Sequence, residues 1–226
     1  VSRRSLPFLD PVRVTTGERS VAHLAAAMLL DYPDEDVRAN VDVVRASVET
    51  LPRTVTASFT AHLDAVAAMS LAEQQAHYVT TFDLRRRCAL YLTYYSSGDT
   101  RRRGMALVTC REAYRACGFE PHDDELPDYL PNILELSARA PGPVTDALLG
   151  THREGLEVLR SALHSVPSPY AHLLDAVCRT LPAVDDATAE RFAALVASGP
   201  PGETVGLSAP LLPFPTFPSS RSEVPA

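Results

Sequence analysis

The chain contains no lysine: all 21 of its basic residues are arginine. That excludes a phosphate-binding loop of the Walker type, which requires its lysine, and Schiff-base or pyridoxal chemistry, which requires a lysine amine. Cysteine is scarce, and Cys88, Cys110, Cys117 and Cys178 form no Cys-x-x-Cys pair. The seven histidines supply neither His-Glu-x-x-His nor zinc-finger spacing, so no metal site and no cofactor are expected. Long apolar runs are missing as well. The longest near the start, Leu24 to Leu30, falls far short of the ~20 residues that span a bilayer. Nothing after Ser2-Arg3-Arg4 reads as a signal peptide, and the expected location is cytoplasmic. A net charge of −7 disfavours nucleic acid and anionic membrane as general partners and fits a basic partner better.

What is present has helical periodicity. Val21, Leu24, Ala25, Met28 and Leu29 form one stripe in 18–31, ended by Pro33; Val37, Val41, Val44, Val48 and Leu51 repeat it in 34–51. A third helix is predicted over 54–69. Ser70-Leu-Ala-Glu73 has capping-box form and starts a fourth, reaching the aromatics at Tyr78 and Phe82. Cys88, Tyr91, Leu92 and Tyr95 follow at helical spacing up to Gly98, and 99–117 makes the next helix, closed by Gly118. Pro127 suits the first turn of a helix carrying Leu130, Ile133, Leu134 and Leu136. Three more amphipathic helices are predicted over 143–163, 169–181 and 185–197. No stretch alternates over a strand length, and no repeat occurs.

The expected fold is therefore all-α, a single compact domain of about eight to ten helices over 18–197. A loose arm (1–17) precedes it and a Pro-rich tail (198–226), disordered or extended, follows; seven of the nineteen prolines lie in that tail. Leu211, Leu212, Phe214 and Phe217 are odd for a spacer. They either fold back on a groove or are merely tolerated.

The densest chemistry lies between Tyr78 and Gly104. Two arginine triplets, Arg85-Arg86-Arg87 and Arg101-Arg102-Arg103, each follow an acid-x dipeptide beginning at Asp83 or Asp99, with an aromatic block between them. Adjacent helical residues turn by about 100°, so a triplet sweeps roughly 200° and leaves one solvent face unless it caps a helix end. If Asp83 and Asp99 are N-caps, the arginines enter the first turn, where the macrodipole disfavours cations by ~0.3–1 kcal/mol each. Helix stability does not explain them. They form structural ion pairs with buried or half-buried acids, or they form a docking surface. From Glu120 to Ser137 the charge reverses, with six acids and no arginine.

This stretch, continuing through Met105-Ala-Leu, Ala113-Tyr-Arg-Ala and Gly118-Phe119 and resuming at Glu125-Leu-Pro-Asp-Tyr-Leu-Pro-Asn-Ile-Leu-Glu-Leu136, resembles the NarJ branch of the TorD/DmsD/NarJ chaperones, the nitrate reductase delta subunit family. The resemblance implies a compact all-α fold of the TorD/NarJ kind. It implies a system-specific assembly chaperone that binds the N-terminal segment of the apo, molybdenum-bearing catalytic subunit transiently and promotes cofactor insertion. Molybdenum cofactor biosynthesis proteins are further partners it suggests. The family's Glu-x-Pro-Asp-His-type motif falls on Glu125, Pro127, Asp128 and Tyr129, with tyrosine where the wider family has histidine.

The residues themselves allow three classes of function. A hydrolase needs nucleophile, base and orienting group, and no serine or cysteine stands in an activating context, so no enzymatic activity is expected. An all-α nucleic-acid-binding regulator is the alternative, since clustered arginines contact phosphate and Tyr91, Tyr94 and Tyr95 could stack bases. The favoured class is a peptide-binding module, in which an apolar groove with acids at its rim draws in a basic peptide. The resemblance implies Glu125 and Asp128 as the rim acids, with Tyr129, Tyr91, Tyr95 and Leu130 as further contacts.

Overall fold

Reciprocal capping boxes open the two helices that later carry the site. Thr15 Oγ1 accepts from Glu18 N at 3.2 Å while Glu18 accepts from Thr15 N at 2.6 Å, starting α1 (Thr16–Leu30). Ser70 and Glu73 do the same for α5 (Leu71–Tyr78). Each box satisfies backbone donors that a first helical turn leaves open. The computed structural model describes residues 8–97, 101–121 and 124–181, with 97, 101 and 102 described by backbone alone. The remaining helices there are α2 (Glu35–Ala39), α3 (Val41–Val48), α4 (Arg53–Ala67), α6 (Leu92–Ser97), α7 (Arg101–Ala116), α8 (Leu130–Arg139), α9 (Pro143–Thr151), α10 (Arg153–Ser165) and α11 (Tyr170–Thr180). Among the described residues there is no strand, only one isolated bridge, and no single helix is long and apolar enough to cross a membrane.

The all-α architecture is as expected, but the described residues alone hold eleven α-helices. Two expected helices are each broken. Asn40 interrupts 34–51: its side-chain amide donates to Asp36 O at 2.8 Å, competing with the backbone ladder. His152 interrupts 143–163 at φ −97°, ψ 8°, after Thr151 Oγ1 has bonded back to Ala147 O at 2.8 Å. Gly118, with φ +81°, does end α7 as the sequence suggests. The helix expected at 185–197 and the tail lie outside the described residues.

α1 is the central element, lying against α8 and α11, and α11 packs on α4 and α10 as well. Ala22, Ala25 and Ala26 are buried and small, so neighbouring helices approach closely, while Phe59, Leu63, Leu159, Leu173 and Leu174 fill the layers around them. Burying each such large side chain contributes about 1.5–3 kcal/mol. Gly155 is required where α10 meets α6: a Cβ there would stand 2.8 Å from Tyr95 Cβ.

Residues 8–15, read as part of a loose arm, lie on the domain. Val12 N donates to Arg179 O at 2.8 Å, and Leu9 and Val12 pack on the core. Two apolar side chains separated by Asp10 and Pro11 carry no periodicity, so their docking leaves no pattern in the sequence.

A buried histidine joins three helices. His23 on α1 lies 2.9 Å from Ser137 Oγ on α8 and 3.0 Å from Thr180 Oγ1 on α11. Burial, with Arg19 nearby, pushes its pKa down to about 3, and burial pushes that of His62 down to about 4. Both are neutral in the fold, whereas the unfolded chain protonates them near pH 6.5. Their contribution is therefore complete above pH 6.5 and is lost as pH falls toward 4 and 3, with a limiting slope of ~1.4 kcal/mol per pH unit per histidine. Denaturant midpoints between pH 7 and 5 should fall accordingly, and His23→Gln should flatten that dependence.

Candidate peptide-binding site

The site begins where α5 changes its pitch. After Tyr78 the chain continues as a π-turn over Val79–Asp83, a widening often found at functional positions. It sets the Tyr78 and Phe82 rings 4.8 Å apart and both against Tyr170. Asp83 closes this turn and is not an N-cap. Arg85 leads a short 3-10 turn over Arg86–Cys88, and Arg85, Arg86 and Arg87 are all exposed. The 100° constraint does not apply, because the triplet straddles a turn instead of a helix. Asp99 and the side chains of Arg101 and Arg102 lie outside the described residues. Arg103 turns inward: its Nε donates to Thr93 Oγ1 at 3.3 Å, and its guanidinium sits 5.8 Å from the Tyr91 ring centre.

The aromatic block and the acidic stretch meet as two short extended segments. Leu92 N donates to Asp128 O at 3.0 Å and Leu130 N to Leu90 O at 2.8 Å, pairing Tyr91 with Tyr129. Tyr91 is thus not helical, and Pro127 is not in a helical turn. It occupies the turn before the bridge, and α8 begins at Leu130 with Pro131 in its first turn.

This pairing divides the expected site residues. Asp128 is fully buried, its Oδ2 accepting from Thr93 N at 3.1 Å and from Thr93 Oγ1 at 2.5 Å, with Arg103 at 3.9 Å. It is an internal brace between α6 and the bridge, not a rim acid. Tyr95 is buried, its hydroxyl donating to Ala89 O at 2.8 Å and Arg87 O at 3.1 Å, and Leu130 lies in the core. None of the three is exposed at the surface.

Glu125, Tyr91 and Tyr129 do come together at the surface. Tyr91 OH donates to Glu125 Oε1 at 3.1 Å, and the Tyr91 and Tyr129 ring centres are 5.6 Å apart. Tyr129 OH shares a 2.9 Å bond with Tyr78 OH and reaches Asp31 Oδ1 at 3.4 Å. Burial pushes the Tyr91 phenol up to about 12 and those of Tyr78 and Tyr129 higher still. The hydroxyls therefore stay protonated at neutral pH and hold the two carboxylates in fixed positions. Asp31, the exposed C-cap of α1, is the member that sequence inspection missed. It lies 98 residues from Tyr129, with no local signal to mark it.

Beside Asp31 opens a cleft of about 220 Å³ between α2, α3 and α4, lined by Val37, Val41, Leu63, Val66 and Met69. Apolar cleft, aromatic floor and acidic edge thus adjoin. Among the described residues no three His, Cys, Asp or Glu side chains are grouped to hold a metal ion.

Known sequences match this region. The profile of the nitrate reductase delta subunit family matches residues 47–176, which hold Tyr78, Tyr91, Glu125 and Tyr129. The chain is 32% identical to the probable nitrate reductase molybdenum cofactor assembly chaperone NarJ of Bacillus subtilis over 169 residues, 74% of this chain and 92% of that one. It is 30% identical to the assembly chaperone NarJ of Escherichia coli K12 over 171 residues, 73% of this chain and 72% of that one. Against the nitrate reductase-like protein NarX of Mycobacterium tuberculosis it is 38% identical over 162 residues, 69% of this chain but 23% of NarX. The chain thus spans under a quarter of that relative. With more than half of its length matched by the profile, this chain belongs to the nitrate reductase delta subunit family.

Proposed function

We propose that this protein is an assembly chaperone that binds the N-terminal segment of the apo catalytic subunit of a respiratory nitrate reductase and favours insertion of its molybdenum cofactor. The observation that carries this reading is the acidic edge, Asp31 and Glu125 held by Tyr129 and Tyr91, beside an apolar cleft. Such an edge steers a basic segment, and the cleft takes apolar side chains. The names of the Bacillus and Escherichia relatives support the same role. The protein performs no chemistry in it; it acts by preferring one state of its client. Binding is transient and takes place wherever the immature subunit resides, before the cofactor is in place.

The test is binding of a synthetic peptide corresponding to the client's N-terminal segment. Asp31→Asn combined with Glu125→Gln should weaken it about tenfold at low salt, ~1.4 kcal/mol. The effect should shrink at physiological ionic strength, where exposed charges are screened beyond ~8 Å. Asp128→Asn should lower thermal stability without altering the salt dependence. Unchanged affinity of the double variant at low salt places the site elsewhere.

A further inference from the structure

We propose that the exposed turn carrying Arg85, Arg86 and Arg87 is a second contact for the client segment, taking its carboxylate side chains while Asp31 and Glu125 take its basic ones. This deepens the client reading and rests on it. The acidic edge leaves the arginine turn without a role, and the fold does not need it. Exposed charges of one sign repel when set side by side. Among the described residues no carboxylate lies within ion-pair distance of Arg85 or Arg87.

The backbone beneath these side chains is fixed. Arg85 O accepts from Cys88 N at 2.8 Å, Arg86 O from Ala89 N at 3.4 Å, and Arg87 O from the Tyr95 hydroxyl at 3.1 Å. Cys88 is buried directly after the triplet, and Tyr95 is held against Gly155. Arg85 Nε donates to Thr80 O at 3.2 Å, which leaves Nη1 and Nη2 for a further acceptor. A partner therefore has only side chains to order, and the entropy lost on binding is small. The planar guanidinium fork matches a carboxylate with two parallel hydrogen bonds. Leu84, 72% exposed on the same turn, adds an apolar contact.

The turn is rooted in the acidic edge at both ends. Tyr78, before it, shares a hydroxyl bond with Tyr129; Tyr91, after it, pairs with Tyr129 through the bridge and holds Glu125. Residues 79–90 are thus a loop closed at Tyr129. Arg87 is four residues from Tyr91, so their Cα atoms are at most ~14 Å apart. About four extended or nine helical residues of a client span that distance. At such range a wholly basic segment drawn to the edge is opposed by the arginines, whereas a segment of both signs gains at both patches. The pair of patches selects a mixed-charge segment against a purely basic one.

Isothermal titration calorimetry of the full chain at ~10 mM ionic strength, where charges interact over ~30 Å, tests this with two synthetic peptides. One is the client's N-terminal segment; the other is the same segment with every Asp and Glu replaced by Asn and Gln. Arg85→Gln/Arg87→Gln should bind the first roughly fivefold more weakly than the parent does. With the amide peptide that factor should vanish or reverse. Equal or tighter binding of the first peptide by the arginine variant overturns the proposal, as does equal weakening toward both peptides, which marks a structural effect. A client segment without an acidic residue overturns it at the outset. Asp31→Asn/Glu125→Gln separates the two readings: if it weakens binding while the arginine variant changes nothing, the client reading stands and only this one falls. If neither peptide binds the parent, both fall.

Discussion

Glu157→Gln is expected to lower the melting temperature by roughly 6–20 °C, from a loss of about 3–5 kcal/mol at ~2–4 °C per kcal/mol for a chain of this size. Glu157 is fully buried on α10 and accepts from Arg153 at 2.8 Å and from Arg160 at 2.6 Å, both arginines being buried too. Arg153 also donates to Cys178 O at 2.7 Å and reaches Leu9 O at 3.5 Å, while Arg160 reaches Asp175 at 3.2 Å. The cluster thus ties the N-terminal segment, α10 and α11 together. Removing its central charge leaves two buried guanidiniums in a low dielectric, of which Arg160 keeps Asp175 at 3.2 Å, and that residual charge, more than any lost bond, sets the size of the effect. Replacing Glu157, Arg153 and Arg160 together with apolar residues of similar volume should be far less damaging than the single change. The exposed Arg45–Asp64 pair gives the contrast: neutralising Asp64 should leave the thermal midpoint almost unmoved. Thermal unfolding of these variants, followed by circular dichroism at 222 nm, checks each expectation. A Glu157→Gln midpoint within 2 °C of the parent would mean that the cluster is solvated in a way its burial does not suggest.

Most of the helical frame was legible because α1, α4, α10 and α11 bury one continuous stripe, and a stripe is what a 3.6-residue period records. The breaks at Asn40 and His152 were not, because each depends on a side chain or local back-bonding choosing a neighbouring carbonyl, which apolar spacing does not register. Of the candidate site, Glu125 and Tyr129 follow from the family motif and Tyr91 from the aromatic block, and these three side chains converge. Asp128 belongs to the same motif, yet a carboxylate in a sequence gives no direction. Here it points inward because Thr93 offers it both a backbone and a hydroxyl donor. The pairing of Tyr91 with Tyr129 is a single bridge, too short to produce alternation, and so its residues read as helix. Asp31 and the Tyr78–Tyr129 contact arise only when α1 and α5 are brought against that bridge.

The largest biological effect is expected from removing the chain altogether. A strain lacking it should retain nitrate reductase polypeptides while the catalytic subunit is deficient in molybdenum cofactor, so nitrate-reducing activity falls out of proportion to protein level. The reason lies in how such a protein can act. A chaperone can shift its client only by the difference in its affinity for the immature and finished states, and a partner preferring the immature state must be released as the client matures. The acidic edge suits that requirement. Asp31 is exposed and Glu125 half-buried, so under the proposed function contacts with a basic segment would be steered and screened by solvent, with rapid encounter and without the slow release of a buried ion pair. The purified mature reductase should accordingly contain none of this chain. Restoring the strain with the Asp31→Asn/Glu125→Gln double variant should recover less cofactor-loaded enzyme than restoring it with the parent, although both proteins accumulate equally. A fully metallated, active reductase in the deletion strain would sink the chaperone reading. Stoichiometric retention of this chain in the mature complex would do the same, because a subunit that stays needs no preference between states.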